Sequence, residues 1–359
     1  MGFRMLYECY LPRKTQSMLP MYGNWRDKSF FPKNLTKDWI VQPVFGRRLT
    51  GKSNVDRAVD RWEPMQGILV SLPSSDILLP PVCVTELAAA VLEKFKRRMR
   101  LFLSLWVSIA LILSAMSVRS EDMNSVRHIS SALWAMTAAI VIDYFVFLRR
   151  LGPLQERALF FYWIQSSNEF RRRAAFVIAL FLVSGGIQLM LQHILGGFEP
   201  TVISLGNYFP AVKSGEWWRL MTGPMLHASV AHFFANLSLA AFFIPLCLCF
   251  GRKIVSLSFA AGIVISGLLQ IFLGAPNIDS MAGVSGGLFS ILGTLILSII
   301  FVPEAFPSGF AYLLTGITIA TGLAASAIGS ASNIAHVAGF GSGVVVAVFW
   351  WTLSKPRLK

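Results

Sequence analysis

"AGVSGGLFSILGTLILSIIFV", residues 282–302, sets Ser285 between small residues at the head of an apolar run of membrane-spanning length. A helix apolar on every side is buried in a large core or in lipid. The glycines and serine at its head then have two readings. They are either packing material, because small residues let membrane helices approach closely, or the frame of a nucleophile held inside the bilayer. Alone, a Gly-X-Ser-Gly sequence favours packing, so the decision depends on what the rest of the chain places beside it.

The rest of the chain is a membrane protein. Of its 359 residues 55% are hydrophobic and 14% charged, against roughly 25% charged in soluble proteins; the mean hydropathy is +0.60. Eight apolar segments reach spanning length, near 101–118, 129–148, 174–196, 222–247, 254–273, 284–303, 307–326 and 333–353. They are unbroken rather than alternating, which excludes a β-barrel and predicts an all-α membrane protein. Asp143 lies inside the second segment, which leaves a re-entrant segment or an interfacial helix end as alternatives there.

The formal charge of +14 sits beside the apolar runs, in "KFKRRMR" (94–100), "RR" (149–150), "RRR" (171–173), "RK" (252–253) and "KPRLK" (355–359). Cations flanking spans on alternate sides are the positive-inside pattern, and nucleic-acid binding is not expected. The alternation predicts both termini inside, with Ser285 near the outer end of the sixth span. Residues 1–85 form a basic, polar extension, 86–170 a helix ("TELAAAVLEKFKRRMR" at its start) with two additional spans, and 171–359 a six-span core. The start is basic and acid-poor without a secretory signal. That favours the mitochondrial inner membrane with both termini in the matrix, plastid and secretory membranes being the alternatives. Four cysteines, two of them one residue apart in an apolar segment, indicate neither a disulfide framework nor a zinc site.

A serine hydroxyl needs a neighbouring base to become a nucleophile. His336, in "AHVAGFGSG" (335–343), lies early in the last span, at the depth and on the side of Ser285. Gly339 and Gly343, four apart, would let that helix approach Gly286 and Gly287. In "LHASVAHFFAN" (226–236), His232 and Asn236 are four apart and share a helical face. Their N–H groups suit charge developing on a carbonyl oxygen. His227 and His232 are five apart, which would splay them around one helix, and no carboxylate is near, so no metal site is expected. "EWWRLMTGP" (216–224) is an aromatic and arginine cluster suited to the headgroup region. Each piece alone has a structural explanation; all of them at one depth on one side do not.

These segments resemble the rhomboid intramembrane serine proteases over roughly residues 170–355. "GEWWRLMTGPMLHASVAHFFAN" is similar to that family's Trp-Arg loop and HxxxxHxxxN helix, "GVSGG" to its GxSG motif, and "AHVAGFGSG" to its AHxxGxxxG motif. The resemblance implies a six-helix rhomboid bundle, here preceded by a two-helix hairpin and the basic extension. It implies Ser285 as nucleophile and His336 as general base, with His232, Asn236 and the Ser285 N–H as the oxyanion hole. Gly283 and Gly286 would shape the nucleophile turn, Trp218 and Arg219 would hold the first loop in the interface, and His227 would be structural. A mobile fifth span and cap, here 307–326 and "GSAS" at 329–332, would gate substrates, which are single-span transmembrane proteins admitted from the lipid bilayer; no cofactor is implied. Phe289 stands where many members have a tyrosine stacked on the catalytic histidine. The alternative reading is a proteolytically silent rhomboid-like scaffold, joined to a larger organellar membrane complex or translocase through residues 1–100.

Overall fold

A computed structural model describes residue 26 and residues 31–119, 123–274, 278–327 and 333–353. It begins with strands β1 (Ile40–Pro43) and β2 (Leu49–Thr50), helix α1 (Lys52–Arg61) and strand β3 (Ile68–Ser71). Helices α2 (Thr85–Arg119), α3 (Met123–Ile142) and α4 (Leu151–Ser166) follow, with a π-helical turn, Asp143–Leu148, extending α3. Next come α5 (Asn168–Leu195), the short α6 (Phe198–Leu205), strand β4 (Asn207–Tyr208), and the short α7 (Phe209–Lys213) and α8 (Arg219–Thr222). The chain ends with α9 (Val230–Cys247), α10 (Arg252–Leu273), strand β5 (Ser280–Met281), α11 (Ser285–Phe301), α12 (Phe310–Ala327) and α13 (Asn333–Leu353). Among the described residues six helices are long and apolar enough to cross a membrane, and α11 and α12 are shorter apolar helices. The protein is an all-α membrane protein with small sheets attached.

Two compact units divide the described residues. One holds those between 24 and 171 and between 306 and 329; the other holds those between 172 and 305 and from 330 onward.

In the first unit β1 is central, paired antiparallel with β2 and with β3, in the register Ile40↔Ser71 and Pro43↔Ile68. The apolar, β-branched runs "IVQ" and "ILV" favour strands. Val55 and Val59, four apart on α1, present one buried face, and Val91 and Phe95 do the same on α2. Together with Trp62, Ile40 and Leu69 they make a core of their own, each large side chain contributing about 1.5–3 kcal/mol by burial. The basic run 94–100 is partly used here: Lys94 pairs with Asp60, and Arg98 with Glu63 at 2.9 Å. Such exposed pairs add little, so the apolar core holds the sheet.

Asp143 stands in a span that remains helical, from Val126 to Leu148. The Arg157 guanidinium faces its carboxylate with both prongs, at 2.6 and 3.3 Å, and both residues are buried. A charge can stay in an apolar interior only when paired in this way. Arg157 also donates to the Ser308 carbonyl at 3.2 Å, and Glu156 accepts from the Ser308 N–H and hydroxyl at 2.8 and 2.7 Å. These bonds fix the approach to α12, which packs along α3 with Gly316 against Ala139 and with Tyr312 stacked on Phe147 at 5.8 Å.

In the second unit α11 is the central element. Its residues from Gly286 to Ile296 are all buried, packed against α9, α10 and α13. The all-round apolar sequence of 282–302 is thus matched by an all-round protein environment. Pro303 ends the helix.

Candidate active site

Local sequence positions each reactive side chain. Ser229 caps α9, accepting the His232 N–H at 3.1 Å, and starts the helix at Val230 rather than at the expected 222. His232 and Asn236 then lie one turn apart on α9. His227 therefore precedes the helix, and its ring is not splayed from that of His232. The two rings meet edge-on with centroids 5.6 Å apart. His227 is buried among Phe181 and Phe233, and Gln188 holds its backbone at both ends, accepting from N–H at 2.9 Å and donating to C=O at 2.8 Å.

Gly283 makes the turn before Ser285. Its φ of +105° belongs to the left-handed region that favours glycine. A Cβ there would lie 2.8 Å from His232 Nε2 and 3.4 Å from Asn236 Nδ2. Both donors therefore converge over the backbone that leads into Ser285. Asn236 is 2% exposed, and its Nδ2 has no hydrogen-bond partner among the described residues. A buried amide donor of this kind is costly to leave unpaired and is suited to a developing negative charge.

Ser285 begins α11 and is half-buried, so a reactant can reach it. His336, on the first turn of α13, places Nε2 3.0 Å from Ser285 Oγ. For Nε2 to accept the hydroxyl proton the ring must carry its own proton on Nδ1. The helices come close enough because Gly339 and Gly343 face the backbone of α11: a Cβ on them would meet the Gly286 and Ser290 carbonyl oxygens at 2.2 and 1.9 Å. The expected approach to Gly286 is present, one turn out of step for the second contact, which falls on Ser290 rather than Gly287. Gly287 instead faces Phe259, and Gly286 lies over Ser266. The Phe289 ring stacks on His336 with centroids 4.3 Å apart and planes inclined by 14°, and among the described residues no carboxylate bonds to the imidazole. No group of three or more His, Cys, Asp or Glu is placed to hold a metal ion among the described residues.

Residues 214–353 match the Rhomboid domain family. This part of the chain is similar to the rhomboid domain. The chain is also 32% identical over 184 residues to RHOMBOID-like protein 1 of Arabidopsis thaliana, a match covering 50% of this chain and 47% of that protein. The chain thus spans about half the length of that relative.

Within the matched residues, the loop ahead of α9 departs from the sequence expectation. Arg219 is buried and donates to the Glu216 carboxylate at 2.9 Å and to the Ile203 and Gly206 carbonyls at 2.9 and 3.1 Å. It staples the loop to itself, while Trp217 and Trp218 are the exposed members suited to headgroups. Residues that the motifs do not include tie this loop to the turn before Ser285. Asn207 and Tyr208 pair with Met281 and Ser280, and the Phe209 N–H donates to the Asp279 carbonyl at 2.7 Å. Nothing in "LGNYFP" announces that two-residue ladder, since strands this short carry no periodicity. The Ser229 cap could have been read from its place three residues before His232. The expected cap at 329–332 lies outside the described residues.

Proposed function

We propose that the chain is an intramembrane serine endopeptidase that cleaves transmembrane proteins with the dyad Ser285–His336. The observation that carries this reading is the 3.0 Å Ser285–His336 contact beneath the converging His232 and Asn236 donors. In the reaction, His336 Nε2 takes the Ser285 hydroxyl proton as Oγ attacks the scissile carbonyl carbon. The carbonyl oxygen, now negative, receives hydrogen bonds from His232, Asn236 and the Ser285 N–H. Collapse of this intermediate breaks the C–N bond, and His336 returns its proton to the leaving amine. Water then attacks the ester by the same route, releasing the acid and restoring Ser285. Stacking on Phe289 replaces an orienting carboxylate in holding the imidazole.

A fluorophosphonate probe tests this directly. Wild-type protein should be labelled and should cut a transmembrane reporter, and Ser285→Ala should do neither. Labelling of Ser285→Ala at the wild-type level would sink the proposal. The second reading, a silent scaffold in a larger membrane complex, draws on the separate apolar core of the N-terminal unit. It requires that Ser285→Ala leave the cellular role intact. For location we propose the mitochondrial inner membrane with both termini in the matrix, on the basic, acid-poor character of residues 1–85. Accessibility of Arg252 and Lys253 to labelling from the matrix side checks it.

A further inference from the structure

A shallow groove of about 460 Å³ runs between α10 and α13, lined by Leu257, Val345, Val346, Phe349, Trp350 and Leu353. It lies at the end of the domain opposite the dyad. Ser285 and His336 open α11 and α13, whereas the groove follows the last turns of α13 and the first turns of α10. Near this end the Phe250 and Trp351 rings meet edge-on at 5.8 Å, and Trp351 donates to Ser298 at 2.9 Å.

We propose that this groove, with Lys253 at its mouth and Arg252 on the neighbouring flank of the same turn, binds one anionic phospholipid. Lys253 is four residues before Leu257, hence on the same face of α10 and one turn nearer the helix end. Both cations are exposed, and neither has an ion-pair partner among the described residues. The first turn of α10 adds N–H groups left without a side-chain cap, since Gly251 stands at the cap position, and these carry the positive end of the helix dipole. Phosphate is the group such a mouth recognises. Trp350 lies where an aromatic residue meets the glycerol region.

Size selects the occupant. From Val345 to Leu353 the wall is about 12 Å long, at about 1.5 Å per helical residue, which accommodates much of one acyl chain. A transmembrane helix, about 10–12 Å across with its side chains, is too wide for so small a depression. Lipid chains gain little from leaving other lipid chains for an apolar wall, so the groove sets position and the cation at its mouth sets preference. At about fivefold per cation near the headgroup plane, Lys253 should favour an anionic over a zwitterionic lipid by about fivefold. The site stands whether or not the dyad is active.

The test uses the full chain in phosphatidylcholine vesicles carrying either phosphatidylglycerol or phosphatidylcholine with a photoactivatable acyl chain. Phosphatidylglycerol should cross-link to the 345–353 segment about fivefold more efficiently. Arg252→Gln with Lys253→Gln should bring the two lipids close to parity, and Leu257→Trp should block both, with helix content by circular dichroism as the folding control. In wild-type protein, raising the ionic strength should erode the preference, which gives a readout independent of any variant. Equal cross-linking by both lipids, a preference insensitive to salt, or chain-to-chain cross-links at 345–353 in place of lipid would each overturn the proposal.

Discussion

Two helix seams in this molecule rest on small residues, and they solve opposite problems. Along α11 and α13 the glycines of one helix press on backbone carbonyls of the other: Gly339 on Gly286, Gly343 on Ser290. Below Ser285 and His336 the polar groups there are hydroxyls with partners. Ser290 donates to the Ser258 carbonyl at 2.6 Å, and Thr294 donates to the Gly343 carbonyl at 3.0 Å. Along α3 and α12 the closest approach is between side-chain positions, Gly316 and Ala139, and the polar groups are charges: Asp143, Arg157 and Glu156 gathered around Ser308. A backbone-to-backbone seam fixes helix separation to a fraction of an ångström, as a 3.0 Å reactive contact requires. A charge-held seam fixes which end of a helix goes where and tolerates more adjustment along its length.

The largest expected effect breaks the charged seam alone. Arg157→Met leaves Asp143 buried without its partner, which should cost about 3–5 kcal/mol. Asp143→Asn combined with Arg157→Met should recover most of that loss, because no unpaired charge remains. Thermal unfolding in detergent measures both, and a single substitution as mild as the double one would show that the pair is not desolvated. If the seams are independent, fluorophosphonate labelling of Ser285 below the unfolding temperature stays unchanged.

The next effect is the converse, a loss of chemistry without a loss of fold. Removing one oxyanion donor typically costs 10²–10³ in turnover, about 2.7–4 kcal/mol of barrier. Asn236→Ala should therefore slow reporter cleavage by that factor. Its melting temperature should not fall, since the Nδ2 group has no partner to lose among the described residues. A variant that melts early instead would make Asn236 a structural amide.

The contrast between the seams also explains what the sequence could and could not reveal. The candidate site was legible because His232 and Asn236 share a helical face by their spacing, and Ser285 and His336 head two apolar segments. The same logic failed for His227, which lies before the Ser229 cap and so obeys no helical spacing. It also failed for Arg219, whose partners are carbonyls of a loop. The spans were legible from unbroken hydropathy. The small sheet in residues 40–71 was not, because strands of two to four residues are shorter than the windows in which alternation can be counted. The helix α4 was hidden for a different reason: its buried residues, from Leu154 through Ile164, occupy every side, so it shows no amphipathic period. The partnership of Asp143 with Arg157 joins residues across a turn, and charge alone does not indicate pairing.

A smaller effect sharpens the difference in what the glycines touch. Gly316→Ala would set its Cβ 2.1 Å from the Ala139 Cβ, overpacking of the kind that costs about 1–3 kcal/mol. Ala139→Gly added to it should restore stability, since the obstacle is a side chain. Gly343→Ala meets the Ser290 carbonyl at 1.9 Å, and no side-chain deletion can relieve a clash with backbone. It should lose labelling of Ser285 as the helices separate, with no rescue from Ser290→Gly. Rescue there would mean that the clash had been with a side chain after all.

The smallest effect concerns Phe289, which stands where the resembled family often has a tyrosine. Phe289 lies nearly parallel to His336 at 4.3 Å, and such ring contacts are worth about 0.5–1.5 kcal/mol. Phe289→Tyr keeps the stacking face and adds a hydroxyl, so turnover should stay within about threefold of wild type. Phe289→Ala removes the face and frees an imidazole that has no carboxylate to orient it, and turnover should fall by about tenfold, within the factor that 1.4 kcal/mol allows. The α11–α13 seam is unaltered in both variants, so their melting temperatures separate a loosened imidazole from a loosened helix pair. Should Phe289→Tyr raise turnover well beyond threefold, the missing hydroxyl, rather than the ring face, would be what limits this dyad.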